Sequence, residues 1–551
     1  MLALCFSSFA LRPFPPYERR RNTSSPGGQR FSFILKDLIL DENFIIKSLA
    51  IFVLLAFPYI SYSQNIDFPD PNFKEALIKE GVDSNADGEI SIEEAAVVDT
   101  LYISGAELSN ELRINNLIGI NYFTNLIHLD CFSNNLSSLE LDGLTSLKHL
   151  FCQYNKLTSI NFSNLLLLER LFCDHNFLTI LNIEKLPSLS LLHCNNNKID
   201  ELIHNGHISL HFLDCGSNNL SEINLIGLEN LGILNCGNNN LSELKLLSVP
   251  KLSSLHCPNN NLSELNLHNL IELRTINCSY NKLNSLDISE RDNLENVTCN
   301  NNNLENIILF NLPKITKIQC QNNNLSFINI EELITLEVLL CNNNKISNLD
   351  LGALTKLRYL DLSNNLLTNL EVENLDSLEV LNCNHNKITK LDLSKNFLLD
   401  FLFSKDNELI ELNLKSTSSI DTVLFTDNSK LSYLCVNNNE IDRYTTIVND
   451  LGYNAIVDSK CSFSPVSNKS NTNTLFLQLR PNPTSAVLMI SAQENIKRIA
   501  VYNVRGQLIK QLAFTGDSTE QQLDVSTLEV GEYFVRIVGE EGVGVESFVK
   551  M

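Results

Sequence analysis

Residues 83–94 read Asp83-Ser84-Asn85-Ala86-Asp87-Gly88-Glu89-Ile90-Ser91-Ile92-Glu93-Glu94, with side-chain oxygens at loop positions 1, 3, 5, 9 and 12 and a glycine at position 6. A hard cation of calcium's size takes about six to eight oxygen ligands in a flexible shell. Asp83, Asn85 and Asp87 can supply three of them, and Gly88 permits the positive φ that turns the carbonyl of Glu89 inward. Ser91 would act through a water, and Glu94 would close the shell with two oxygens. Calcium is therefore the expected cofactor of this loop; the alternative is an acidic turn without an ion. The other reactive side chains form no catalytic set. The chain has no Gly-x-Ser-x-Gly, no His-Glu-x-x-His and no phosphate-cradling glycine loop.

A calcium loop needs an element on each side to hold it. Upstream, residues 71–77 predict a short helix with Phe73 and Leu77 on one face; downstream, residues 92–98 predict the exiting helix. In these twelve residues the segment resembles EF-hand and dockerin-type loops.

The rest of the chain is dominated by a period. Cysteines stand at 131, 152, 173, 194, 215, 236, 257, 278, 299, 320, 341 and 383, a 21-residue step with Leu362 in the one skipped slot. Three residues after each slot comes an asparagine, from Asn134 to Asn386, and Asn407 follows Ser404 in a fourteenth copy. The consensus L-x-x-L-x-C-x-x-N-x-L-x-x-L-x-L, complete in Leu126-Ile127-His128-Leu129-Asp130-Cys131-Phe132-Ser133-Asn134-Asn135-Leu136, resembles the leucine-rich repeat family. The resemblance implies an α/β solenoid with short parallel strands on its concave face. Strand alternation turns Leu129 and Cys131 inward and His128, Asp130 and Phe132 outward. Stacked about 4.8 Å apart, fourteen rungs make a coil on the order of 65 Å long.

Equivalent cysteines on adjacent parallel strands are about one strand spacing apart, whereas a disulfide needs Cβ atoms about 3.8 Å apart on converging bonds. The ladder is therefore expected to hold free, buried thiols that act as small hydrophobes. The Asn column is expected to satisfy backbone groups where the chain leaves each strand. Cys435 and Cys461 lie outside the ladder and could close a disulfide at the solenoid's end or stay reduced.

The flanks divide the chain. Residues 1–64 read as a leader and signal peptide: an apolar run at 48–59 follows Lys47, with cleavage expected after Ser61-Tyr62-Ser63. The run is shorter than the roughly 20 apolar residues a membrane span needs, so no transmembrane span is expected in the mature protein. Residues 65–125 cap the first rung and carry the calcium loop. The solenoid and its second cap occupy 126–461, with a degenerate last rung at 431–436 and a capping helix at 444–453. A Ser- and Asn-rich linker covers 462–474. Residues 475–551 hold seven short strand candidates, which predict an all-β, immunoglobulin-like sandwich. There, Arg480-Pro481-Asn482-Pro483-Thr484, Ile499-Ala500-Val501-Tyr502-Asn503-Val504-Arg505-Gly506, Leu523-Asp524-Val525 and Gly531-Glu532-Tyr533 resemble the type IX secretion sorting domain. That resemblance implies that the type IX secretion machinery is a partner. It also implies export through the periplasm, then anchoring at the outer cell surface or release.

With 41 Lys and Arg against 64 Asp and Glu, the net charge is −23, which makes nucleic acid a poor ligand. The outward positions of the first rungs collect His128, Asp130, Phe132, His149, Phe151, Arg170, Phe172, Asp174, His193, Phe212 and Asp214. Exposed aromatic rings beside charges are the composition of a binding face. The expected function is a secreted or surface-displayed, adhesin-like protein that recognises a protein or glycan on its concave face, and not an enzyme. A secreted enzyme of unknown chemistry and a structural spacer are the alternatives.

Overall fold

The computed structural model describes residues 64–206, 209–352, 354–416, 420–461, 473–474, 477–503, 508–514, 518–539 and 542–551. The leader and signal peptide at 1–63, and residues 462–472 of the expected linker, lie outside the described residues.

Each 21-residue rung contributes a three-residue strand whose middle side chain is buried. In Ser254–His256, Leu255 is fully covered while Ser254 and His256 are half-buried. Strands pair in parallel and in register, so that Ser254, Leu255 and His256 lie opposite Thr275, Ile276 and Asn277, each 21 residues further on. The resulting sheet has 16 strands, running from Thr100–Tyr102 to Thr422–Leu424. Fourteen of them are the expected copies, and each end carries one more. Thr100–Tyr102 comes from the amino-terminal cap and joins by a 28-residue step, Thr100 opposite His128. Thr422–Leu424 keeps the 21-residue step from Phe401–Phe403, with Phe425 in the cysteine slot and Asn428 in the asparagine slot.

Residues 431–436 are therefore not the last rung of this sheet, contrary to expectation. Tyr433–Cys435 belongs instead to a second, four-stranded sheet with Lys390–Asp392, Glu411–Asn413 and Ile456–Asp458. Tyr433 pairs with Glu411 on the return side of the coil after a 22-residue step, one longer than the period. Further return strands pair at Ile180–Asn182 with Glu201–Ile203 and at Ser285–Asp287 with Asn306–Ile308. Elsewhere the return segments are turns, and the α-helices among the described residues lie in the caps.

Three columns of side chains hold the rungs together. The ladder cysteines are buried and free, and the thiols of Cys131, Cys152, Cys173 and Cys215 donate to the carbonyl of the next strand, as Cys131 Sγ does to Phe151 O and Cys215 Sγ to Asn235 O, both 3.4 Å. Ser404, in the same slot, donates its hydroxyl to Leu424 O at 3.4 Å. The slot thus accepts a weak donor as well as the plain hydrocarbon of Leu362. Burial pushes the thiols of Cys278, Cys320 and Cys383 up to about 12, and their neighbours are also raised.

The asparagines bridge two rungs each. Asn281 Nδ2 donates to Cys257 O at 3.0 Å and Cys278 O at 3.1 Å, while its Oδ1 accepts from Leu262 N at 3.0 Å. The residue just before each buried asparagine is left-handed, with φ between 52° and 60° from Ser133 through Asn259 to Asp427. Asn, Asp and His tolerate that region best among non-glycine residues, which accounts for the runs of consecutive asparagines.

The amino-terminal cap consists of α1 (Pro71–Lys79) and α2 (Ile92–Ala96), joined by the acidic loop. Phe73 and Leu77 of α1 are buried, as the spacing predicts. Asp70 caps α1 and ties it to the segment that leads into the first rung: its carboxylate accepts from Asn72 N and Phe73 N, and from Asn115 N at 2.6 Å. At the other end α3 (Ile441–Asp450) starts three residues earlier than expected and buries Tyr444 and Val448. Cys435 and Cys461 are disulfide-bonded, with Cα atoms 5.3 Å apart. The expected linker is shorter at its end, because Asn473–Thr474 already belongs to a five-stranded sheet, which faces a three-stranded one across Leu488, Ile499, Val535 and Phe548.

Replacing Asn281 by Ala removes two donors and an acceptor and leaves buried backbone groups unpaired. A loss of about 2 kcal/mol or more in urea unfolding is expected. In native protein at about pH 8, the twelve ladder thiols should resist iodoacetamide because they stay protonated and covered; after denaturation all twelve should react, as counted by mass spectrometry.

Candidate binding face

Registered strands bring side chains of successive rungs into contact, and where those side chains are rings they build a ladder. Tyr102 and His128 have centroids 5.0 Å apart, and His128 lies 5.0 Å from Phe151. Phe151 and Phe172 stack at 4.7 Å with an interplanar angle of 20°. Phe172 and His193 stack at 4.4 Å and 19°, and His193 meets Phe212 at 4.6 Å. Six rings on consecutive strands thus form one continuous strip on the exposed side of the main sheet. His149 closes on it edge-to-face, 5.7 Å from His128.

Of the sequence-predicted residues, His128, His149, Phe151, Phe172, His193 and Phe212 are brought together in this strip. Asp130, Arg170 and Asp214 border it on the same strands. Asp130 Oδ1 accepts from Phe132 N at 3.0 Å, and Asp214 Oδ1 from Gly216 N at 3.1 Å, so both carboxylates also pin the turn that follows the strand. Phe132 and Asp174 stand apart from the strip. Phe132 meets Tyr154 edge-to-face at 5.5 Å, Tyr154 stacks on His175 at 4.0 Å, and Asp174 holds His175 Nδ1 at 2.9 Å. Tyr102, Tyr154 and His175 were not expected in the site. The 21-residue column through 154 and 175 carries the signal for the last two, whereas the 28-residue step conceals Tyr102.

Burial shapes the charges of the strip. It lowers the pKa of His128, helped by the neighbouring His149; it lowers that of His149 too, with Arg170 adding and Glu169 opposing. Asp130 is raised by burial against the pull of the Phe132 amide. A shallow groove lined by Glu201, Ile226, Leu247, Glu264 and Ile271 gathers none of the predicted residues.

The acidic loop folds as a chain of side-chain-capped turns. Asp83 accepts from Asp87 N and Gly88 N, Asn85 Oδ1 from Asp87 N at 2.8 Å, and Asp87 Oδ1 from Glu89 N at 2.8 Å. Gly88 has φ 83°, as its position requires. Glu94 Oε1 accepts from the amide and hydroxyl of Ser84, and Oε2 from those of Ser91. Burial opposes its charge, but these donors outweigh burial and hold the carboxyl at about 2. Ile90, fully buried, accepts from Ile66 N at 2.9 Å, so the chain's own segment 64–66 pairs with the loop. Among the described residues no three His, Cys, Asp or Glu side chains converge as a metal site.

The stacked phenylalanines should be energetically coupled. A double-mutant cycle with Phe151→Ala and Phe172→Ala is expected to return about 0.5–1.5 kcal/mol in urea unfolding, and additivity would contradict the ladder.

No curated protein is significantly similar to the chain. Among solved structures it is similar to the functional domain of InlJ from Listeria monocytogenes, described as including a cysteine ladder, at 23% identity and a TM-score of 0.53, over 89% of this chain and 100% of that one. It is also similar to the leucine-rich repeat protein LIC12759 of Leptospira interrogans, at 22% identity and a TM-score of 0.48, over 67% of this chain and 97% of that one. The secretion system C-terminal sorting domain family matches residues 478–551. The chain is therefore a leucine-rich-repeat solenoid that ends in a secretion-system sorting domain, the signal for type IX export to the cell surface or the medium.

Proposed function

We propose that this exported solenoid is an adhesin-like binding protein whose aromatic strip recognises a protein partner. The observation that carries the reading is the unbroken six-ring ladder, half-exposed on the outward side of the main sheet. Stacking at 4.7 and 4.4 Å covers the faces of Phe151 and Phe172, leaving ring edges toward solvent. A sugar ring would need a free aromatic face, whereas packed edges suit apolar side chains and backbone carbonyls. Asp130, Glu169 and Asp214 outnumber Lys148 and Arg170 around the strip, so charge complementarity favours a partner surface that mixes apolar and basic residues.

Binding to the full exported chain, immobilised and compared with its Phe151→Ala/Phe172→Ala variant, tests this. A central aromatic anchor typically contributes about 2 kcal/mol or more, and the two are coupled, so retention should fall by at least the roughly 30-fold of a single anchor. Equal retention by both proteins would remove the strip from the site. Binding of glycans in place of protein on an array would redirect the reading, and no ligand at all would favour a spacer.

We further infer that the loop at 83–94 holds calcium through Asp83, Asn85, Asp87, Glu94, the carbonyl of Glu89 and a water on Ser91. The left-handed Gly88 and the ionised Glu94 support this assignment. Calorimetry should give heat of calcium binding in the wild type, and little with Asp83→Ala or Glu94→Ala; equal heats in all three would end it.

A further inference from the structure

The strip differs from a plain hydrophobic ridge in one respect: His128, His149 and His193 are built into it. Resting on the reading of the strip as a protein-binding face, we propose that this face is acid-sensitive. Its ring packing and the sign of its charge persist while His128 and His149 are neutral, and both are lost when these residues take up protons.

The geometry is least tolerant at the Tyr102 end. His128 is enclosed by Tyr102 of the preceding strand and by His149 and Phe151 of the following one. Its Nε2 is buried with no hydrogen-bond partner. A proton added there would have no acceptor and would face a second imidazole 5.7 Å away. Asp130, on the same strand, has one oxygen engaged by the Phe132 amide. His149 faces Lys148 and Arg170 as well as Glu169. Its Nε2 is 3.9 Å from Glu169 Oε2, while Lys148 holds the other oxygen of Glu169 at 3.0 Å. His193 is placed differently, between the rings of Phe172 and Phe212 and 3.8 Å from Asp214. Ring faces and a carboxylate suit a cation, so acid opens the ladder at His128 and not at His193.

Both end histidines are held below the ordinary imidazole value, so an unstacked or unfolded state takes up protons first. The stacked arrangement is therefore fully favoured above about pH 6.5 and weakens as pH falls through that value. Charge moves in the same direction. Three carboxylates, Asp130, Glu169 and Asp214, face two fixed cations, Lys148 and Arg170, and protonated His128 and His149 reverse the balance. A basic partner attracted near neutrality would be repelled in mild acid.

Histidine and phenylalanine ring resonances of the full isotope-labelled chain, followed from about pH 7.5 to about pH 5, test the proposal without a ligand. In the wild type His128 should titrate below about 6.5, with the Phe151 signals moving at the same midpoint. His149→Phe, which keeps a ring but no charge, should raise the His128 midpoint. In the His128→Phe/His149→Phe pair the Phe151 response should shrink about threefold or more. Titration of His128 at about 6.5 with Phe151 unmoved would overturn the proposal. Failure of the binding reading shows separately, as equal retention by wild type and the phenylalanine variant near neutral pH.

Discussion

Residue n beside residue n+21 is the constraint on which the solenoid depends. A three-residue strand can form few hydrogen bonds and bury little by itself. The parallel register places aliphatic side chains on one another, cysteine beside cysteine and each Asn of the column between two turns, so each rung is completed by its neighbours. Asn281 shows the economy of the scheme. One amide satisfies two carbonyls and one N–H, and those groups belong to consecutive rungs, so removing it affects two levels of the coil.

The same register turns sequence columns into sites. Phe151 and Phe172 stack because they are 21 residues apart, and His193 continues the line for the same reason. The strip is not a single column, however. It begins on the third strand position at Tyr102, steps to the first at His128, crosses back to the third at Phe151, and returns to the first at Phe212. That diagonal depends on side-chain reach across neighbouring strands and is therefore a property of the packed sheet alone.

Much of the fold was legible because its signals repeat. The cysteine and asparagine columns identify the strand, its buried side and its turn without any long-range information, and the carboxyl-terminal motifs mark the sorting domain. What was hidden lies where the period breaks. Thr100–Tyr102 joins the sheet across a 28-residue step, and Thr422–Leu424 was obscured because Phe425 replaces the expected cysteine. The reduced or oxidised state of Cys435 and Cys461 could not be read from spacing. It follows from the return strand at Tyr433–Cys435, whose pairing with Ile456–Asp458 brings the later cysteine within reach. Of the site, the ring-bearing columns were visible, whereas the contribution of Tyr102 and the separation of Phe132 and Asp174 from the strip required packing to decide.

The disulfide makes the two ends of the coil unequal. Cys435 and Cys461 lock the final return strand to the chain that follows its neighbour, whereas among the described residues the amino-terminal end is held by hydrogen bonds and packing alone. Under mechanical load the crosslinked end would stay wound while turns peeled away from the Thr100 side. The aromatic strip begins on that weaker side, so shear strong enough to unwind the first turns would also detach whatever the strip holds.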